Sequence, residues 1–116
     1  MCNTILLPSI FDGWGIVVNE ALQNGIPALV SDQCGAKELV RNGQNGLIFE
    51  ANNVTELAQK LSDFIELSHQ EKLAMKHQAE KTGANLEIDS VAQYLTDCIS
   101  HSLNPNHLKP SAPWLK

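Results

Sequence analysis

Residues 7–40 read LPSIFDGWGIVVNEALQNGIPALVSDQCGAKELV. Just before and into this stretch, the run TILLPS is apolar until Pro8 stops it, which predicts a buried strand over about residues 4–7. GIVVNEALQNG predicts a helix from about Gly15 to Asn24, with Gly25 as its C-terminal stop. IPALVSD reads as a second buried strand. Neither strand alternates apolar with polar, so each is expected to be covered on both faces, as in a parallel sheet.

Downstream, GAKELVRNG predicts a short helix closed by Gly43, with Arg41 at the negative end of its dipole. NGLIFE adds a third strand at about residues 46–49. Strand, helix, strand, helix and strand, joined by short linkers, make the fold class α/β. Beyond Glu50 the chain reads as helical. Asn53 with Glu56 forms an N-cap and capping-box pair, and Val54, Leu57, Ala58, Leu61, Phe64 and Ile65 repeat at helical spacing through about Leu67. Ser68 with Glu71 forms a second box, opening a more polar helix to about Lys81. A third helix is expected from about Asp89 to His101, with Val91, Ala92, Leu95 and Ile99 along one side. Residues 1–103 thus form one unit, and 104–116 a Pro-containing tail that cannot stay helical. Trp114 favours a tail strapped across the surface over a loose end.

The bulk composition restricts function. The chain has 116 residues, enough for one domain, and 43% hydrophobic against 18% charged residues marks it as globular. A net charge of −5 argues against nucleic acid as a partner, although helix amides can still bind a phosphate-bearing small ligand. Cys2, Cys34 and Cys98 are an odd, scattered set, read as reduced thiols rather than a disulfide framework. No apolar run approaches the ~20 residues that cross a bilayer, and no signal-peptide pattern opens the chain. The expected setting is cytoplasmic.

The loop DGWG and the helix after it carry the chemistry. Several amides at the start of that helix lack intrahelical partners, and Gly13 and Gly15 leave room for a phosphate to approach closely. Asp12 stands just outside the helix start and Glu20 one to two turns inside it. Two acceptors flanking an anion site suit a ligand with hydroxyls at both ends, which is the layout of a nucleotide sugar. Spacing alone favours the plainer reading, in which Asp12 caps the coming turn and Glu20 is a solvated helix residue.

Residues 8–50, PSIFDGWGIVVNEALQNGIPALVSDQCGAKELVRNGQNGLIFE, closely resemble the donor-binding region of retaining glycosyltransferases of the GT-B fold, in family 4 (glycosyl transferases group 1). The resemblance rests on two acids with seven residues between them (here Asp12 and Glu20) and on ALQNGIPALVSD, CGAKELV and NGLIF. It implies the C-terminal part of a Rossmann-like GT-B domain. It also implies an enzyme of hexosyltransferase type in polysaccharide biosynthesis, transferring a sugar with retention from a nucleotide diphosphate sugar to a glycan or lipid-linked acceptor. No metal and no cofactor beyond the donor are expected; a lipid-linked acceptor would place the reaction at the inner membrane face.

By the same resemblance Glu20 holds the nucleotide ribose and Asp12 the donor-sugar hydroxyls, the pair being the expected catalytic acids. Gly13, Trp14, Gly15, Ile16 and Val17 would face sugar and diphosphate. The family usually has Glu where Asp12 stands, and Asp is one methylene shorter. Glu38 is read as supporting the loop.

Lys37 and Arg41 are the only cations in residues 1–50, so the departing diphosphate lacks the Arg/Lys pair that the family uses. The family strand order 3-2-1-4-5-6 would leave TILLPS as an apolar edge, which predicts a partner chain or a homodimer completing the sheet. Opening directly in a core strand, the sequence reads as a piece of a longer reading frame. The alternative is a non-catalytic remnant, or a binding subunit that needs a partner chain. A flavodoxin-like regulatory domain is disfavoured because no acidic cluster follows the first strand. His101 and His107 lack a third ligand for a metal, Cys34 is expected to be a buried neutral thiol, and Trp14 is read equally as packing residue or sugar-site lining.

Overall fold

The computed structural model of the chain describes residues 2–106 and 108–115. Three short strands, β1 (Ile5–Leu7), β2 (Ala28–Ser31) and β3 (Gly46–Phe49), form a parallel sheet in the order β1-β2-β3. The register pairs Leu6 with Leu29 and Val30 with Ile48. Helix α1 (Ile16–Gln23) connects β1 to β2, and a 3-10 turn, Gly35–Leu39, precedes β3. Then follow α2 (Val54–Glu66), α3 (His69–Ala84), α4 (Ile88–Leu103) and a terminal 3-10 turn, Pro113–Leu115. The third strand falls on the residues expected for it, and the others within a residue or two.

β2 is the hub, with all four residues buried. Successive side chains point to opposite faces. Ala28 and Val30 pack with Val18 and Leu22 of α1, Ala79 of α3 and Leu86. Leu29 points the other way, against Phe64 of α2 and Met75 of α3, with Leu47 and Leu61 beside them. Burying side chains of this size contributes about 1.5–3 kcal/mol each. The expected cover on both faces is therefore present at β2. Strand β1, expected to be buried as well, is only partly covered and leaves Leu6 exposed, because no strand lies beyond it among the described residues. Behind α1 the backbones of α1 and α3 nearly touch: a Cβ on Gly83 would stand 2.4 Å from the Leu22 carbonyl oxygen.

Asn45 locks the turn before β3. Its side chain, 1% exposed, accepts from Arg41 N–H (2.7 Å) and donates to Leu39 O (2.9 Å) and Thr82 Oγ1 (2.9 Å). It joins the sheet edge to α3, and it was not among the residues singled out from sequence.

Three expectations need correction. The segment GAKELVRNG makes only a five-residue 3-10 turn ending at Leu39, because Val40 is already extended. Arg41 thus lies beyond the helix end and meets no dipole there. Gly43 serves a left-handed turn at φ +83° rather than a helix stop. At Asn53 the cap accepts from Glu56 N–H (2.9 Å), but its own amide goes to Glu50 O, so the reciprocal half of that box is missing. The box at Ser68 and Glu71 is complete. The apolar sides of α2 and α4 are only partly used: Val54 and Ile65 are exposed, and no residue of α4 is buried.

The tail is a strap, as Trp114 suggested. Ala112 and Pro113 are buried, and the Trp114 ring packs edge-on against Trp14 and Tyr94. Among the described residues no helix is long and apolar enough to cross a membrane.

Candidate functional site

Pro8 ends β1, and the chain runs on through Gly15 as a loop at the carboxyl edge of the sheet, where α/β proteins bind ligands. Hydrogen bonds to the loop after β2 hold it in place. Asp12 N–H donates to Gln33 O (3.2 Å), Gly35 N–H to Asp12 O (3.0 Å) and Ala36 N–H to Trp14 O (2.6 Å). Ser31 Oγ donates to Ser9 O from below. The approach is close enough that a Cβ on Gly35 would lie 2.2 Å from Gly13 O.

Gly15 turns the chain into α1. Its φ of +95° is left-handed, and a Cβ there would meet Leu7 at 2.7 Å and Cys34 Sγ at 2.9 Å. Beyond this turn the amides of Ile16 and Val17 carry no intramolecular hydrogen bond among the described residues, and those of Gly13 and Gly15 likewise carry none. Four donors are thus left without a partner at the positive end of a helix dipole. Space above Gly13 is open, with nothing within 4 Å of where a Cβ would sit.

The two acids occupy different environments. Asp12 is half-buried, and its Oδ1 accepts the Trp14 N–H at 3.1 Å. Glu20 is exposed and makes no side-chain hydrogen bond among the described residues. It lies four residues after Ile16 and three after Val17, both also exposed, so it shares their face of α1. Helix side chains lean toward the N-terminus, which for Glu20 is the loop end of α1. Asp12 therefore caps the turn with one oxygen, as the plainer reading held, while Glu20 lies exposed on the helix face that Ile16 and Val17 share.

Trp14 points inward. Its indole N–H donates to Asn19 Oδ1 at 2.8 Å, and its ring lies 6.2 Å from that of Trp114. It packs, and only its backbone belongs to the outer face of the loop. Cys34 is fully buried beneath, donating to Trp14 O at 3.1 Å; burial pushes its thiol pKa up, so it is the neutral thiol expected. Glu38 is exposed. Ile10 and Phe11, 82% exposed in the second case, rim the loop, and neither was singled out from sequence. His107, considered with His101 as a metal ligand, lies outside the described residues.

Both loop-proximal cations are engaged. Lys37 Nζ donates to Asp32 O and Arg41 Nη2 to Trp114 O (3.4 Å). A larger cleft, about 490 Å³, lies at the opposite, amino edge of the sheet between Pro27, Phe64, Lys72 and Lys76. It shares no residue with the loop, whose donors sit on an open shelf.

Residues 1–82 match the family profile described as Glycosyl transferases group 1. Poly(glycerol-phosphate) alpha-glucosyltransferase of Bacillus subtilis is 38% identical over 65 residues, covering 53% of this chain and 10% of that protein. A sucrose synthase of Denitrovibrio acetiphilus is 30% identical over 59 residues, 51% of this chain and 8% of its own length. An uncharacterized glycosyltransferase of Methanocaldococcus jannaschii is 33% identical over 64 residues, 55% of this chain and 18% of its own. Among solved structures, sucrose-phosphate synthase from Thermosynechococcus elongatus superposes with a TM-score of 0.73 at 17% identity, over 90% of this chain and 26% of that one. The last likeness bears out the expected fold. In each of these curated relatives the matched part is less than a fifth of the whole.

Proposed function

The chain belongs to the glycosyl transferases group 1 family, and from that premise we propose that loop 8–15 and α1 bind the nucleotide diphosphate sugar donor of a retaining, family 4 type of sugar transfer. The observation that carries this reading is the row of unpartnered amides at Gly13, Gly15, Ile16 and Val17, with Glu20 exposed on the helix face that Ile16 and Val17 share. The diphosphate binds these amides, which need no desolvated cation to accept an anion. Glu20 accepts from the ribose hydroxyls. Asp12, with Oδ1 committed to Trp14 N–H, meets the donor sugar through Oδ2. The glycosidic C–O bond to the diphosphate breaks as the oxygen of an acceptor hydroxyl, on a glycan or lipid-linked molecule, bonds to the same carbon and its proton passes to the departing diphosphate. What this chain contributes is position and stabilisation of charge on the leaving oxygen. A hexosyl group as the cargo is in keeping with the glucosyltransferase name of one relative.

A second reading is a nucleotide-sugar-binding subunit that turns over only with a partner chain or a second copy. Two observations favour it for the chain by itself. Lys37 and Arg41 are held on backbone carbonyls, so neither is poised over the diphosphate. The outer edge of β1 carries an exposed Leu6 and no neighbouring strand among the described residues.

Calorimetric titration of the purified chain with UDP, GDP and ADP, with its solution mass recorded alongside, tests the first reading. Saturable binding of one nucleotide is expected, weakened by about ten-fold or more in Glu20→Ala, since hydrogen bonds to a charged acceptor contribute roughly 1.5–3 kcal/mol. Parent-like affinity in that variant removes Glu20 from the ribose site. No binding by a folded chain leaves the second reading, with its nucleotide site complete only in an assembly.

A further inference from the structure

The contacts of the C-terminal strap extend to the donor loop. Trp114 packs edge-on between two rings: Trp14, inside the loop, at 6.2 Å and 64°, and Tyr94, on α4, at 5.4 Å and 79°. Its carbonyl accepts from Arg41. Ala112 and Pro113 are buried beside it, so the turn 113–115 is seated rather than draped. Trp14 in turn holds the loop by four bonds of its own. Its indole N–H is on Asn19, its amide on Asp12, and its carbonyl receives Ala36 N–H and the Cys34 thiol. A residue at the far end of the chain therefore braces the residue on which the loop's hydrogen bonds converge.

We propose that Trp114 is a positioning residue for the donor loop: the strap fixes the Trp14 indole and thereby pre-sets the unpartnered amides of residues 13–17 for an anion. The ligand part of this inference rests on the donor-site reading above; the mechanical part does not. Pre-organisation of a loop lowers the ordering cost of binding. Linkage then makes the effect reciprocal, so a nucleotide on the loop tightens the strap. Helix α4, which contacts the strap through Tyr94 and buries none of its own residues, gains its order by the same route.

The test is amide hydrogen exchange on the whole chain without ligand, comparing the parent with Trp114→Ala and Trp114→Phe. In Trp114→Ala, exchange at the hydrogen-bonded amides of Trp14, Val18, Gly35 and Ala36 is expected to rise three- to ten-fold while β2 keeps its protection. That range lies inside the about two- to thirteen-fold change to which an aromatic pair of about 0.5–1.5 kcal/mol converts. Trp114→Phe, which retains an edge-to-face ring, is expected to restore the parent rates. Unchanged loop exchange in Trp114→Ala overturns the proposal. So does a rise spread evenly over loop and β2 that Trp114→Phe fails to reverse, because that describes plain destabilisation. Nucleotide titration forms a separate arm. If the parent binds UDP or GDP, Trp114→Ala is expected to bind it three- to ten-fold more weakly, and equal affinity overturns the pre-organisation step. If the parent binds neither, the donor-site reading falls and the exchange data alone decide the bracing role.

Discussion

Helices α1 and α4 have the same kind of sequence and opposite fates. Both carry apolar residues at helical spacing. α1, eight residues long, buries Val18, Ala21 and Leu22 under the sheet. α4, twice that length, buries nothing: Ile88 is 85% exposed, Leu95 59% and Ile99 53%. The difference is the neighbour. α1 is tied by short loops to two strands and cannot avoid the sheet, whereas α4 leaves the body after Leu86 and packs chiefly against the strap. Amphipathic patterning announces a face; topology decides whether anything lies against it.

Mutations can break or sharpen that contrast. The largest expected effect is at Leu22, fully buried between β2 and α3: Leu22→Ala should cost about 3 kcal/mol in urea unfolding. Next is Asn45→Ala, which strands buried groups of Leu39, Arg41 and Thr82 and should cost about 2–3 kcal/mol by the same measurement. Ser68→Ala removes the N-cap of α3 and should cost about 1 kcal/mol. The same cap predicts a pH effect. Hydrogen bonds from the Ser68 amide and hydroxyl hold the Glu71 pKa below its ordinary 4.5, so its stabilising contribution is present above that value and fades as pH falls through the lowered one. Glu71→Gln should flatten this acid limb of the stability curve. Smallest is Leu95→Ala, expected to stay within about 0.5 kcal/mol. A cost near that of Leu22→Ala would mean that α4 is covered in solution, and sedimentation would then have to reveal what covers it.

The same contrast explains what could be read in the sequence. Strands bounded by Pro8, Gly25 and Gly46 were legible because short apolar runs between breakers have few other uses. The loop around Gly13 and Gly15 was legible for the same reason, and the geometry at Gly15 shows why a side chain is excluded there. The length of the turn after Cys34 was not, since five residues of 3-10 and two turns of α-helix share one composition. Asp12 carries two meanings in the fold, a cap through one oxygen and an open second oxygen, and residue spacing cannot separate them. Asn45 looked like one more polar turn residue; its three buried bonds depend on α3, which comes far later in the chain. The fate of α4 was beyond reach, because exposure is set by partners and not by pattern.

The strap has a consequence for the order of events during folding. The sheet and α1 close loops of modest length, while Arg41 and Trp114 are 73 residues apart along the chain when they meet. Chain entropy lost on closure grows with that separation, and contacts between distant residues form late. The parallel sheet and the Gly15 turn therefore come first, and the seating of Trp114 comes late. During synthesis the loop is built early but is braced only once residues 112–115 have been made. A nascent or clipped chain would thus hold the secondary structure of the native protein while still lacking its braced loop.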